Sequence, residues 1–194
     1  MILDILKQLN WVDFLVIIVM VRIIYIALSS GFPLELFKLM GTFASLYLSM
    51  HYFTFFTDWM GARNPGTKER VPLQFMDFFS LVALAVLGYL IFLALRLVFD
   101  KFIKMEINQA VSKSVALLLG VVRGFLLASL VAFVMVVSDI GYLKDSVKSS
   151  YTGRRVCNAA VNTYSWTWNH LTSRFALGEN FNKTVTEIQK TINP

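Results

Sequence analysis

The chain has little charge for its length and few residues of the kinds that build metal sites or disulfides. Only 15% of its 194 residues are charged, against about 25% in a typical soluble domain. Cys157 is the single cysteine, which excludes an internal disulfide and a multi-cysteine zinc site. His51 and His170 are the only histidines, and no carboxylate stands at ligand spacing from either. We therefore expect no metal ion and no other cofactor.

Catalytic and targeting motifs are missing as well. The sequence contains neither G-x-S-x-G nor H-E-x-x-H, so we expect a protein that is not an enzyme. Asp4 and Lys7 stand where a signal peptide would have a basic region, and we expect the first apolar stretch to be retained. The excess of 18 basic over 12 acidic residues is spread beside apolar stretches, which argues against a nucleic-acid partner.

Long apolar stretches are what the chain has in abundance. Hydrophobic residues make up 57% of it, and the mean hydropathy is +0.63. A hydrocarbon core about 30 Å thick is crossed by roughly 20 apolar helical residues. Stretches of about this length run over residues 11–28, 34–52, 73–99 and 114–137. We predict an all-α, polytopic membrane protein with about four transmembrane helices and the lipid bilayer as its partner.

A turn and a change of composition divide the chain. Gly31, Phe32 and Pro33 predict a turn, since glycine accepts any φ and proline suits the first turn of a helix. We expect the first two spans to form a hairpin around it. After Val137 the sequence becomes polar. We predict a transmembrane domain over residues 1–138 and a tail over residues 139–194.

The tail carries two apolar stripes at helical spacing, which predict amphipathic helices. The stripes are Val156, Ala160, Tyr164, Trp168, Leu171 and Phe175, then Phe181, Val185, Ile188 and Ile192. Three interpretations stay open at this point: a helical hairpin packed on itself or on the bundle, a helix in the membrane interface anchored by Trp166 and Trp168, or a surface for a partner protein.

Apart from Asp13 and Asp77, the charged residues inside the predicted spans gather near one face of the membrane. We call the face of the N-terminus side A and the opposite face side B. Arg22, Glu35, Lys38 and Arg123 all fall in the side-B half, and a charge at mid-membrane costs at least about 2.5–3.5 kcal/mol. The long basic side chains could extend to side B. Alternatively, these four residues form a polar cluster lining a side-B cavity, with Glu35 as the partner of Arg22 or Arg123.

Small residues repeat along the fourth span at every fourth position. They are Ala116, Gly120, Gly124, Ala128 and Ala132. Such a stripe lets two helix backbones approach closely. Gly41 begins a similar stripe on the second span. Packing within one chain and self-association through the fourth span both fit this pattern.

The order of these residues resembles the colicin V production (CvpA) family of bacterial membrane proteins. The matching segments are Arg22 followed by Gly31-Phe32-Pro33-Leu34-Glu35, and Leu119-Gly120-Val121-Val122-Arg123-Gly124. The resemblance covers about residues 10–138. Ile23 stands where the family usually has glycine, and Ser29, Ser30 and Pro33 stand where it often has basic residues.

The resemblance implies a multi-pass protein of the bacterial inner membrane that serves production or export of a peptide toxin and upkeep of the envelope. It implies no established catalytic residues. It also implies toxin-export machinery as a possible partner. It also implies that side B is cytoplasmic, whereas the larger number of basic residues on side A favours the opposite orientation. We follow the resemblance here.

Two functions fit the sequence. The first is a non-enzymatic scaffold or export accessory, for which charge-conserving changes at Arg22 or Arg123 should be mild. The second is a small oligomeric channel or transporter with a polar cavity lined by Arg22, Glu35 and Arg123, which should lose activity when those charges are removed. A second copy of the chain or another membrane protein fits either function as a partner.

Overall fold

The computed structural model describes residues 9–63, 71–102, 109–175 and 178–192, and every regular element within them is helical. The elements are α1 (Trp11–Ser30), α2 (Phe32–Arg63), α3 (Leu73–Phe102), α4 (Gln109–Val137), α5 (Gly141–Ser149), α6 (Gly153–His170), a 3-10 turn (Thr172–Arg174) and α7 (Lys183–Ile192). The predicted all-α fold is confirmed.

Three helices of the described chain are long and apolar enough to cross a membrane, namely α1, residues Leu73–Val98 of α3 and residues Val111–Val137 of α4. The fourth long helix, α2, has 32 residues but a more polar middle, with Thr42, Ser45 and Ser49. It packs along both α3 and α4. The chain is an all-α membrane protein, and α2 lies among its apolar helices.

The first two helices meet at Gly31, and beyond it they make little contact with each other. Gly31 has a φ of 76°, a conformation that favours glycine. Phe32 and Pro33 already belong to α2, so the connection is a single residue rather than a three-residue turn. Beyond it, α1 packs mainly on α4, and α2 packs mainly on α3 and α4.

Glycines explain this choice of neighbours. A Cβ atom on Gly120 of α4 would overlap the Cβ atom of Ala27 on α1. A Cβ atom on Gly88 of α3 would lie 2.8 Å from Cα of Ser45 on α2, inside the roughly 3.5–4.0 Å that carbon atoms prefer. The α1–α4 and α2–α3 pairs therefore approach closely where one helix lacks a side chain.

The tail packs on the side-A half of this bundle. Helix α6 lies mainly on α4 and also touches α2, and the Ser129 hydroxyl of α4 donates a hydrogen bond to the Val156 carbonyl of α6. The apolar stripe of α6 is buried as far as Trp168, whereas Leu171 and Phe175 are exposed beyond the end of the helix. Of the two tryptophans expected as interfacial anchors, Trp168 is buried and Trp166 is exposed.

Candidate functional site

A buried ion pair joins α2 to α4. Glu35 lies in the first turn of α2 and is 0% exposed, while Arg123 of α4 is 4% exposed. Their Oε1 and Nε atoms are 2.6 Å apart. Helical side chains lean toward the N-terminus of their helix, which for α4 is side B, so Arg123 reaches back toward the beginning of α2. Of the two alternatives for Arg123, the structure shows pairing with Glu35, and the side chain stays buried.

Lys38 adds a second cation one turn along α2. Its Nζ atom lies 3.5 Å from Oε2 of Glu35 and donates a hydrogen bond of 2.6 Å to the Ser30 hydroxyl at the end of α1. Within the described residues, the buried Nε and Nη2 atoms of Arg123 make no well-directed hydrogen bond, so its link to Glu35 is mainly electrostatic. The cluster therefore connects α2 to α4 through an ion pair and α2 to α1 through a hydrogen bond.

Arg22 lies apart from this cluster, contrary to the expected group of four. It is exposed on α1, as are Val21 and Tyr25, whereas Ile23 and Ala27 are buried. Successive helical residues are rotated by about 100°. Since Ile23 and Ala27 occupy the face of α1 packed in the bundle, Arg22 points to another side of the helix.

The space next to the cluster is small. A cavity of about 10 Å³ lies between α2 and α3, with Lys38 of α2 and Tyr89 and Arg96 of α3 in its lining. Roughly 10–15 Å³ is the least that holds a single water molecule. Of the residues expected to line a polar side-B cavity, Arg22, Glu35 and Arg123 do not line this one.

The predicted small-residue stripe lies against the same cluster. Ala116, Gly120, Gly124 and Ala128 are all buried on α4. A Cβ atom on Gly120 would lie 3.8 Å from Oε1 of Glu35, and one on Gly124 would lie 3.0 Å from Sδ of Met20 on α1. Gly41, on α2, faces Phe92 and Tyr89 of α3. Close helix packing thus surrounds the ion pair.

Asp13 holds the side-A end of α1 to the tail, a role that the sequence did not reveal. Its carboxylate is 0% exposed. Oδ1 accepts hydrogen bonds from the Ser150 hydroxyl at 2.7 Å and from the backbone N–H and hydroxyl of Thr152 at 2.7 and 2.6 Å. Oδ2 accepts from the Asn10 N–H at 2.8 Å. The Asn-x-x-Asp spacing indicates only a capped helix start.

His51 marks a second junction between α2 and the tail. Its Nδ1 atom lies 2.9 Å from the Tyr164 hydroxyl of α6, and its Nε2 atom lies 3.2 Å from Oε2 of Glu179. The Tyr52 hydroxyl donates to Oε1 of Glu179 at 2.8 Å, and the Asn182 N–H donates to the Tyr164 hydroxyl at 3.0 Å. These residues come from distant parts of the chain, so no local pattern could have grouped them.

The protonation of this junction follows from burial. Burial raises the pKa of Tyr164 to about 12, which keeps its hydroxyl protonated and able to donate to Nδ1 of His51. In the tautomer with the imidazole proton on Nε2, the ring can accept from Tyr164 and donate to Glu179 at the same time. The result is one continuous hydrogen-bonded path from α6, through α2, to the segment before α7.

Comparison with known proteins gives one match. Residues 12–161 match the model of the family described as Colicin V production protein. The match runs from α1 into α6, farther than the resemblance read from the sequence. No curated protein and no solved structure matches the chain. Across the four described ranges, no three His, Cys, Asp or Glu side chains are grouped as a metal site would need.

Proposed function

Since this chain belongs to the colicin V production protein family, we propose that it is a non-enzymatic scaffold or export accessory of the bacterial inner membrane. Its role would be to support production or export of a peptide toxin and the upkeep of the envelope. A membrane partner, including toxin-export machinery or a second copy of the chain, would bind the bundle or its tail.

The docking of the tail is the observation that carries this proposal. Asp13 on α1 and His51 on α2 both hold tail residues through buried hydrogen bonds, so the tail is docked on the side-A half of the bundle at two points. Binding surfaces gain affinity when they are ordered in advance. A fixed platform next to the membrane fits an accessory protein that positions partners.

A channel or transporter is the alternative. The buried pair of Glu35 and Arg123 supports it, because ionisable groups within membrane helices often mark ion or solute paths. The cavity of about 10 Å³ beside Lys38 argues for the scaffold instead, since it is far below the roughly 300–1,000 Å³ of ligand pockets.

Two measurements on the full chain test the proposal. The first reconstitutes the protein in liposomes and follows ion and small-solute flux, which we expect to equal that of protein-free liposomes. The second expresses the chain in toxin-producing cells that lack their own copy and measures toxin released into the medium. We expect the wild-type chain to restore release and Asp13→Asn to restore less, with exposed Asp145→Asn as the matched control.

The alternative makes the opposite forecast. Flux above background that disappears in Glu35→Gln would replace the scaffold with the channel. Toxin release that is independent of the chain would remove the export role.

A further inference from the structure

A large cavity lies beside the His51 junction on side A. Its volume is about 910 Å³, at the upper end of the roughly 300–1,000 Å³ typical of ligand pockets. One wall belongs to α2 and includes His51, Tyr52 and Phe55. The other wall includes Glu179, on the segment before α7, and Lys183, the first residue of α7. The tail and the bundle therefore form this cavity jointly.

The cavity lies close to the level at which the membrane ends. Helix α2 begins at Phe32 on side B, and His51 follows 19 residues later. At about 1.5 Å per residue this distance is roughly 29 Å, close to the thickness of about 30 Å of a hydrocarbon core. Phe55, one turn farther, lines the cavity and is 67% exposed. At about 1.5 Å per residue, Phe55 lies roughly 6 Å beyond His51, so its exposed aromatic ring belongs to the headgroup level of the membrane.

The polar part of the cavity carries one charge of each sign. The Glu179 carboxylate is fixed by the Tyr52 hydroxyl and by His51. Its side chain remains 42% exposed, and a carboxylate has about four acceptor positions, so it can accept further hydrogen bonds. Lys183 supplies an exposed cation on the same wall. A ligand that complements both charges has a cationic donor and an anionic group.

We propose that this cavity binds a phospholipid whose headgroup carries a primary ammonium group. The ammonium N–H groups donate to Glu179, the phosphate pairs with Lys183, and the acyl chains extend from the cavity into the side-A leaflet. Such a lipid would fasten the tail to the side-A leaflet as well as to α2. This inference does not depend on the export role.

Titration of the purified chain with single phospholipids, followed by native mass spectrometry, tests the headgroup. The probes are phosphatidylethanolamine, phosphatidylcholine and phosphatidylglycerol with the same acyl chains. We expect phosphatidylethanolamine to bind most tightly. The trimethylated headgroup of phosphatidylcholine has no N–H donor, so its binding should be weaker by about tenfold or more, as expected for a lost hydrogen bond to a charged group.

Variants that each remove one charge separate the cavity from the rest of the tail. Glu179→Gln should abolish the preference for phosphatidylethanolamine over phosphatidylcholine, and Lys183→Gln should weaken both lipids. Glu187→Gln and Lys190→Gln remove the same charges at exposed positions of α7 outside the cavity lining, and they should leave binding unchanged.

Three results would overturn the inference. In the first, phosphatidylglycerol binds as tightly as phosphatidylethanolamine or more tightly. In the second, the α7 control variants change lipid binding as much as the cavity variants do. In the third, the folded chain retains no phospholipid. Each is distinguishable from failure of the export proposal, because the titration measures lipid binding alone.

Discussion

Substitution of Gly120 by alanine should separate α1 from α4. The added Cβ atom would overlap the Cβ atom of Ala27, which is 0% exposed and has no room to move. Overpacking of this kind typically costs about 1–3 kcal/mol. The neighbouring Glu35 carboxylate lies 3.8 Å from the position of the new atom, so a shift of α4 would also disturb its pairing with Arg123.

A compensating change isolates the cause. In the double variant Gly120→Ala with Ala27→Gly, the nearest atoms to the new methyl group are Cα of residue 27 and Oε1 of Glu35, both at 3.8 Å, an ordinary contact distance. Ala27→Gly alone should destabilise by about 1 kcal/mol, the usual effect of glycine within a helix. We therefore expect the double variant to be more stable than the sum of the single changes predicts.

Unfolding of the purified chain in mixed detergent micelles measures these differences. Gly141→Ala is the control, since nothing lies within 4 Å of a Cβ atom placed there. An interaction energy below about 0.5 kcal/mol between positions 27 and 120 would fall within ordinary additivity. That result would refute the close approach of α1 and α4 at these two residues. Unchanged stability of Gly120→Ala would do the same.

Three further changes probe the buried polar groups. Glu35→Gln leaves Arg123 buried without its carboxylate partner, so we expect unfolding to become easier by about 3–5 kcal/mol, measured in the same micelles. Asp13→Asn weakens the hydrogen bonds that the charged carboxylate accepts from the tail, which are worth about 1.5–3 kcal/mol each. The tail should then detach from α1 more often, so we expect faster tryptic cleavage at exposed Arg154. Burial raises the pKa of Cys157 to about 12. Because the thiolate is the reactive form, we expect negligible maleimide labelling near neutral pH until the chain unfolds, as measured by mass spectrometry.

Each of these changes has a matched comparison. Arg22→Gln removes a charge at an exposed position of α1 and should alter stability far less than Glu35→Gln. Asp145→Asn, also exposed, should leave the rate of tryptic cleavage unchanged. Equal destabilisation by Arg22→Gln and Glu35→Gln would contradict the buried ion pair. Equal cleavage of Asp13→Asn and wild type would contradict the contact of Asp13 with the tail. Rapid labelling of Cys157 in the folded chain would contradict its burial.

Much of the architecture follows from local properties of the sequence. Apolar stretches of about 20 residues predict helices that cross lipid, and this accounts for α1, α3 and α4. The stripe around Gly120 predicted close packing of α4 because small residues at every fourth position share one helix face. The polar composition after Val137 marked the beginning of the tail. The position of Glu35, Lys38 and Arg123 within apolar stretches also indicated that these charged side chains need an oppositely charged partner or a route to the membrane surface.

The tertiary structure decided which of these features meet. Only the rotation of α1 against α4 shows that Ile23 and Ala27 face the bundle and that Arg22 does not. Asp13 and His51 acquire their partners from residues more than a hundred positions away, and nothing near them in sequence indicates those partners. Helical periodicity and membrane hydropathy depend on short segments, whereas the orientation and neighbours of each helix depend on simultaneous packing of the whole bundle with its tail. For that reason the sequence alone determines the helices of this membrane protein, and the fold determines its charge cluster and its docked tail.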